Sequence, residues 1–434
     1  MGADPAAPAG AVVECEVASG VAPVAAPTAV VPALVLVRVF SEPIGMLALK
    51  LPADGLAPPE LARAIVNELE PELRARFADC GLSWTGELPL DGLCPPLLPS
   101  FLAGRARVLR EGPRITAAVC TRDRPDGLAV LLQSLGAQEY ERLRILVVDN
   151  APSDDRTRRL VAALAHHHDI EYVSEPRPGL SWARNCAIDA ADGEVIAWAD
   201  DDEVCDRWWA AELARGFVEV PEAGAVTGAV IPLELETQSQ IWFEEHSGMR
   251  AGRGFSRAVI SPAGAHRQSP LYPLPPFGIG GNMAFRRDAL ERIGGFDCAL
   301  GAGTATLAGE DTAAFSELLL TGGTIVYQPS AIVRHRHRRD YDTLLRLMLG
   351  YGRGLSAFYA SVLMHRPSCA PELLRLTRPA VRHQLSRHGH SGHSDAHIPR
   401  ELLRANHIGL LQGAFLYPRA RLQARHMGSA EARR

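Results

Sequence analysis

Residues 194–204 read "EVIAWADDDEV", a short apolar run that ends in Asp200, Asp201 and Asp202 side by side. An apolar run of that length fits a strand buried on both faces. Like charges repel, and one carboxylate is enough to cap a following helix, so three in a row need another reason. Either the strand ends in a wet acidic turn or a cation sits there. A hard divalent ion favours the second, because Mg2+ or Mn2+ accepts carboxylate oxygens and keeps positions for water and phosphate. An Asp-x-Asp at the end of a parallel strand can hold such an ion against a diphosphate.

Around this segment, from Ile115 on, short apolar strands alternate with helical patterns. "ITAAVC" is followed by "GLAVLLQSLGAQ", "RILVVD" by "DRTRRLVAALAH", "EYVSE" by "SWARNCAIDAAD" and "EVIAWAD" by "RWWAAELARGFVEV". Such alternation implies right-handed crossovers and a mostly parallel central sheet, so the fold class is α/β. Ligands of these sheets sit beyond the carboxyl ends of the strands, which is where "CTRDRP", "VVDNAPSDD" and "ADDD" fall. After Gly228 the pattern loosens through "QIWFEEHSGMRAGRGFSR" and "LYPLPPFGIGGN", then returns with "GEDTAAFSELLLTGG" and the strand "TIVYQP".

The flanks differ in composition. Residues 1–33, rich in Ala, Pro, Val and Gly, are expected to be mostly disordered. Residues 34–110 are expected to form a small N-terminal α+β unit, with two strands about a turn at Glu42–Gly45 and a helix that stops at Gly81. Residues 111–345 hold the strand and helix alternation. Residues 346–434 are expected to be a helical C-terminal extension, partly disordered, and Arg- and His-rich from Pro367.

The 434 residues are 47% hydrophobic and 22% charged with a net charge of -5, the balance of a globular protein without the basic footprint of a nucleic-acid binder. Eight cysteines lie scattered without a C-x-x-C pair, which points to reduced thiols and the cytoplasm. The N-terminus lacks the positive start of a signal peptide, and Pro23, Pro27 and Pro32 interrupt the one long apolar run, so no transmembrane span is expected. Peripheral contact at the inner face of the membrane stays open, as does a homodimer.

"ITAAVCTRDRP", "ILVVDNAPSDD", "RPGLSWARNCAIDAADGEVIAWADDDE", "GIGGNMAFRRDALERIGGFD" and "AGEDTAAFSELLLTGGTIVYQPSAIVRHRHR" follow one another in order. Over about residues 113 to 345 this series resembles a family 2 glycosyltransferase with the GT-A fold, a Rossmann-like sandwich. The resemblance implies transfer of a sugar from a nucleotide-diphosphate sugar, a UDP- or dTDP-sugar, to an acceptor hydroxyl on a glycan, lipid or natural product. It implies Mn2+ or Mg2+ as cofactor and inversion of the anomeric centre. By the same resemblance Thr121, Arg122 and Asp149 line the base and ribose pocket, with Arg184 and Asn185 beside it. Asp200 and Asp202 match the Asp-x-Asp around Asp201, Asp200 near the ribose and Asp202 as the direct metal ligand. Asp311 matches the catalytic base, with Glu310 next to it. Gly281 and Asn282 match the segment that borders the donor sugar, and His335 sits where some relatives contact metal or diphosphate. Ala313 stands where many relatives have an acidic residue, and Glu317 where an Arg is frequent. The Gln-x-x-Arg-Trp of processive members has only a partial echo at Gln384 to His388, so one sugar per encounter is expected.

Other features have plainer readings beside the functional one. His166, His167 and His168 suit a solvated helix end. His388, His390, His393 and His397 suit a polar linker better than a zinc site. His335 and His337 fit either the donor site or a basic surface cluster. Trp242, Phe243, Glu244 and Glu245 fit an acceptor loop or the core. The helix from Pro399 to Arg425 fits docking on the chain's own domain, with an anionic membrane or a partner as the other reading. Two whole-function alternatives remain: a catalytically inactive module that binds a nucleotide sugar or a partner, and a nucleotidyltransferase. The latter would be expected to carry a Gly-rich triphosphate loop, and "CTRDRPDG" has one glycine.

Overall fold

The computed structural model describes residues 10–27, 29–96, 98–165, 169–247, 254–262, 269–272, 277–376 and 398–431. The His166 to His168 triplet, the histidines from His388 to His397 and the Gln384 to His388 segment lie outside these residues. A three-stranded sheet comes first, made of β1 (Ala11–Glu16), β2 (Val31–Val39) and β3 (Glu42–Leu51), with β2 parallel to β1 and antiparallel to β3. The expectation of disorder over 1–33 is thereby corrected from Gly10 onward, because "AVVECE" finds a partner in β2 and buries Cys15. The turn is also displaced from Glu42–Gly45 to Phe40 and Ser41, both at positive φ (53° and 65°). Glu16 holds it by accepting their N–H groups at 2.9 and 2.6 Å. Helix α1 (Pro58–Asp79) covers this sheet through Ile65, Leu73 and Phe77, and α2 (Ser100–Glu111), which local pattern did not signal, leads out of it.

The chain then alternates through β4 (Ile115–Thr121), α3 (Pro125–Gly136), β5 (Leu143–Asn150), α4 (Arg156–Leu164), β6 (Ile170–Glu175), α5 (Leu180–Ala190) and β7 (Val195–Trp198). It continues with β8 (Glu203–Cys205), α6 (Trp209–Glu219), β9 (Ala223–Pro232), α7 (Gln238–Ser247), β10 (Ala258–Ile260), β11 (Met283–Arg286), α8 (Arg287–Ile293), α9 (Glu310–Leu320) and β12 (Thr324–His335). Two long helices close it, α10 (Tyr341–His365) and α11 (Arg400–Glu431). Among the described residues the central sheet has nine strands in the order β10-β12-β9-β11-β7-β4-β5-β6, with β8 paired to β12. Its strands β6, β5, β4 and β7 run parallel, as do β9 and β12. Between those blocks β11 runs antiparallel to both neighbours.

Side chains alternate across the sheet with the two-residue period of a strand. Val119, Val147 and Ala197 pack with Leu128, Leu132 and Trp209 on one face. Ala118, Leu146, Val148 and Trp198 pack with Ala183, Phe285 and Phe315 on the other. This double burial is what the unbroken apolar runs require.

The N-terminal unit sits against α6 and the β9–β12 end of the sheet. Arg38 reaches Asp206 at 2.6 Å and Arg105 of α2 reaches Glu212 of α6 at 2.6 Å, while Leu36 packs with Ile231 and Ile332. At the other end α11 crosses α10 at glycines. A Cβ on Gly409 would lie 2.2 Å from the Leu349 carbonyl oxygen, and one on Gly413 2.0 Å from that of Arg353, so the backbones touch. Tyr417 of α11 is fully buried and its hydroxyl donates to Asp297 at 2.7 Å, so this helix docks on the chain's own domain.

Candidate active site

Register alone assembles the site. Thr121 ends β4 opposite Asp149 of β5, and Ala118 of β4 lies opposite Trp198 of β7, so Asp149 and the run after Trp198 emerge at the same sheet edge. Because β11 is antiparallel, its beginning at Met283 lies opposite Trp198, which carries Gly281 and Asn282 to that edge as well. His335 ends β12 opposite Glu203 of β8. Five separated stretches of chain thus meet at one edge.

The three aspartates have different surroundings. Asp201 is buried and accepts from the Thr121 hydroxyl at 2.7 Å and from Arg124. Burial pushes its carboxyl up to about 6, against the pull of Arg124 and Thr121. Asp202 turns to Arg124 at 3.2 Å, Arg338 at 3.1 Å and His335 at 3.5 Å. Burial works against its charge, yet the two arginines hold it below the ordinary carboxylate range. Burial also drives His335 down to about 4, so the ring is neutral at neutral pH and the two arginines balance Asp202. Asp200 keeps 40% of its side chain exposed, and its backbone N–H donates to buried Glu203 at 2.9 Å.

The rings of His335 and His337 share this network. With its single ring proton on Nε2, His337 donates to the Glu244 carboxylate at 3.2 Å and keeps Nδ1 as an acceptor. In that arrangement Nδ1 of His335, 2.8 Å away, is the donor, and Nε2 of His335 turns a lone pair toward Asp202 Oδ1. Two acceptors facing each other at 3.5 Å leave a place for a cation. That separation is within about half an ångström of the ~3.0 Å between neighbouring ligands around an ion with bonds of about 2.1 Å. Among the described residues no three His, Cys, Asp or Glu groups converge on one such point. The pair therefore fits an ion that takes its remaining ligands from diphosphate and water, as Mg2+ does.

Across the same edge Arg184, fully buried, donates to Glu310 at 2.8 Å and to the Gly280 carbonyl at 3.2 Å, and lies 3.9 Å from Asp200. Burial pushes Glu310 up to about 7 despite Arg184. Asp311, next in the first turn of α9, is half-buried and accepts backbone N–H groups of Gly280 and Thr312 at 2.8 and 2.6 Å. Glu310 thus braces Arg184, while Asp311 is fixed at the edge. Asp149 accepts from the Tyr172 hydroxyl at 3.0 Å through one oxygen, and its other oxygen is buried without a partner among the described residues.

Two of the motif residues turn elsewhere. Asn185 clamps Phe296, donating to its carbonyl at 2.9 Å and accepting its N–H at 2.8 Å. Asn282 is fully buried, bonded to the carbonyls of Ala229 and Ala331 and to the Trp209 indole. Their side chains hold the frame, with both amide N–H donors of each already used. Gly281 stands against Glu203, where a Cβ would come within 2.3 Å of Oε1. Arg122 stays half-exposed, 3.9 Å from Asp123. Sequence reasoning missed Arg124 and Arg338 as partners of Asp202, and Glu244 as the anchor of His337. The basic flavour of "RDRP" and "HRHRR" was the available signal for the arginines. Nothing local signals Glu244, which lies 93 positions from His337.

The model of Glycosyl transferase family 2 matches residues 116–294. The succinoglycan biosynthesis protein ExoM of Rhizobium meliloti (strain 1021) is 34% identical over 229 residues, 51% of this chain and 67% of that protein. The glucosyl-dolichyl phosphate glucuronosyltransferase of Haloferax volcanii is 24% identical over 242 residues, 54% of this chain and 73% of that one. Among solved structures, the mannosyltransferase PcManGT from Pyrobaculum calidifontis in complex with GDP-Man and Mn2+ matches at TM-score 0.43 and 19% identity, over 85% of this chain and 86% of that one. That likeness is too distant to carry chemistry across. The ordered motifs, the α/β sheet that gathers them and the identity shared with ExoM agree: the chain is a glycosyltransferase of the GT-A type and belongs to Glycosyl transferase family 2.

Proposed function

We propose that this glycosyltransferase moves one sugar at a time from a UDP- or dTDP-sugar to an acceptor hydroxyl, inverting the anomeric centre, with Mn2+ or Mg2+ at Asp202 and His335. Asp311 is the observation that carries this reading. Two backbone N–H groups fix its carboxylate, at 2.8 and 2.6 Å, while it stays half-buried at the edge of the sheet. An alcohol attacks an anomeric carbon poorly while it keeps its proton, so Asp311 takes that proton as the new C–O bond forms. The bond to the diphosphate oxygen breaks with its electron pair leaving on the nucleoside diphosphate. Attack from the face opposite the leaving group inverts the centre.

The surrounding residues have supporting parts. Arg124 and Arg338 stand beside Asp202 and offer charge-assisted donors to phosphate oxygens. When bound, the divalent ion offsets charge that grows on the departing diphosphate. Arg184, braced by Glu310, holds the Gly280 turn whose N–H orients Asp311. The unpartnered oxygen of Asp149 is an acceptor suited to an N–H of the nucleotide base.

The test joins binding to turnover. A panel of UDP- and dTDP-sugars is screened by thermal shift with and without Mn2+ on wild type and Asp202→Ala, and nucleoside diphosphate release is then measured for wild type and Asp311→Asn. One donor is expected to raise the melting temperature only with metal, and Asp202→Ala to lose that rise. Asp311→Asn should keep the rise and slow release by about 10²-fold or more. Donor binding without release in the wild type would favour a nucleotide-sugar module that does no chemistry, and unchanged release in Asp311→Asn would remove that residue from the role of base.

A further inference from the structure

Helix α11 uses one face for docking and leaves a second apolar face outside. Its inward seam runs through Leu402, Gly409, Gly413, Tyr417, Ala420 and Ala424, all buried. On the other side Ile408, Leu411, Phe415 and Leu422 are 49%, 74%, 84% and 58% exposed. At the helical turn of about 100° per residue, the positions 408, 411, 415 and 422 share one side, opposite the seam. Among the described residues none shelters these four side chains.

Charge indicates what covers them. Arg404, Arg419 and Arg425 are exposed along the same stripe, and the helix carries five arginines against Glu401 and Glu431 in a chain of net charge -5. A second copy of the chain docked by a two-fold axis through this face would bring arginine to arginine: Arg404 onto Arg404 if the helices run parallel, and Arg404 beside Arg425 if antiparallel about Phe415. An anionic lipid surface meets both features, since Phe and Leu enter the acyl boundary while arginines reach the headgroups. We propose that the outer face of α11 seats this protein on an anionic bilayer surface.

The experiment is co-sedimentation of the full chain with phosphatidylcholine vesicles, with and without phosphatidylglycerol, alongside light scattering and circular dichroism. Wild type should partition onto the anionic vesicles and release them at about 1 M salt, where the Debye length is about 3 Å. Leu411→Ser/Phe415→Ser should cut that binding roughly tenfold or more with helicity unchanged. Arg404→Ser, Arg419→Ser and Arg425→Ser should each weaken it about fivefold. Absence of vesicle binding, or equal binding to neutral vesicles, would overturn the proposal. A dimer that Leu411→Ser/Phe415→Ser converts to monomer would assign the face to a second copy instead.

Discussion

Asp202 sits where two demands conflict, since burial disfavours its charge and the proposed chemistry needs it. Arg124 and Arg338 resolve the conflict on one oxygen, and the other faces the lone pair of His335. What fixes that lone pair is remote from the aspartates: His337 on its far side, and Glu244 of α7 beyond it. Outer partners of this kind commonly change metal affinity by about 10- to 100-fold. Glu244→Leu is therefore expected to lower Mn2+ affinity by about tenfold, read by titration of the free Mn2+ signal in electron paramagnetic resonance, with His335→Ala losing more. Equal affinity in Glu244→Leu and wild type would show that the ring orients itself. Asp201 gives a second prediction at this scale. Its folded-state carboxyl is pushed up to about 6 by burial, from an ordinary value of 3.8. A raised acid binds its proton more tightly when folded, so its stabilising share is complete below pH 3.8 and is lost as pH rises through about 6. Two units correspond to at most about 3 kcal/mol. Urea unfolding from pH 4 to 7 should show wild type losing stability relative to Asp201→Asn over that window; parallel curves for the two proteins would contradict the shift.

At the scale of elements, the site depends on turns that let strand ends approach. Gly281 precedes β11 and lies so close to Glu203 that an added methyl would fall 2.3 Å from Oε1. Glu203 in turn accepts the Asp200 N–H, so a displaced Glu203 shifts the start of the aspartate run. Gly281→Ala is expected to cost about 1–3 kcal/mol through overpacking and to weaken donor binding in the same thermal-shift screen. An unchanged melting temperature would mean the turn yields freely. The strands β4 to β7 were legible in the sequence because each buried strand is an apolar run and each crossover has helical spacing. Asp149, Asp200 to Asp202 and Asp311 were legible because acidic groups at strand and helix ends stand out against that pattern. The antiparallel entry of β11, the short β8 and the strand β1 were not, because pairing partners far apart in sequence leave no local period. The side-chain partners of Asn185 and Asn282 were not legible for a related reason: an amide inside a motif does not reveal whether it meets a ligand or the carbonyls of Phe296, Ala229 and Ala331.

For the molecule as a whole, the telling junction is between the N-terminal unit and the transferase domain, where charge is buried instead of apolar surface alone. Arg105 of α2 is 4% exposed, donates to Glu212 at 2.6 Å and to the Ser41 hydroxyl at 2.6 Å, and stands 3.6 Å from Glu42. Arg215 joins the same two carboxylates, and Arg38 joins Asp206, four residues beyond Asp202. The network therefore links the small sheet to the segment that follows the aspartate run. Removing one member of a buried ion network typically costs about 3–5 kcal/mol, because the partner keeps its charge without compensation. Arg105→Met leaves Glu212 with Arg215 alone and Glu42 shared between Arg215 and Arg76, and is expected to lower the unfolding free energy by about that amount. Arg105→Met/Glu212→Met leaves Glu42 between Arg215 and Arg76, with Glu219 still on Arg215, and should recover a large part of the loss. Urea unfolding gives both values, and hydrogen exchange should show the amides of β2 and α2 opening before those of β4 and β5 in the single variant. If the single and double variants lose equal stability, the charges do not act as a network and the junction rests on Leu36, Ile231 and Ile332 instead.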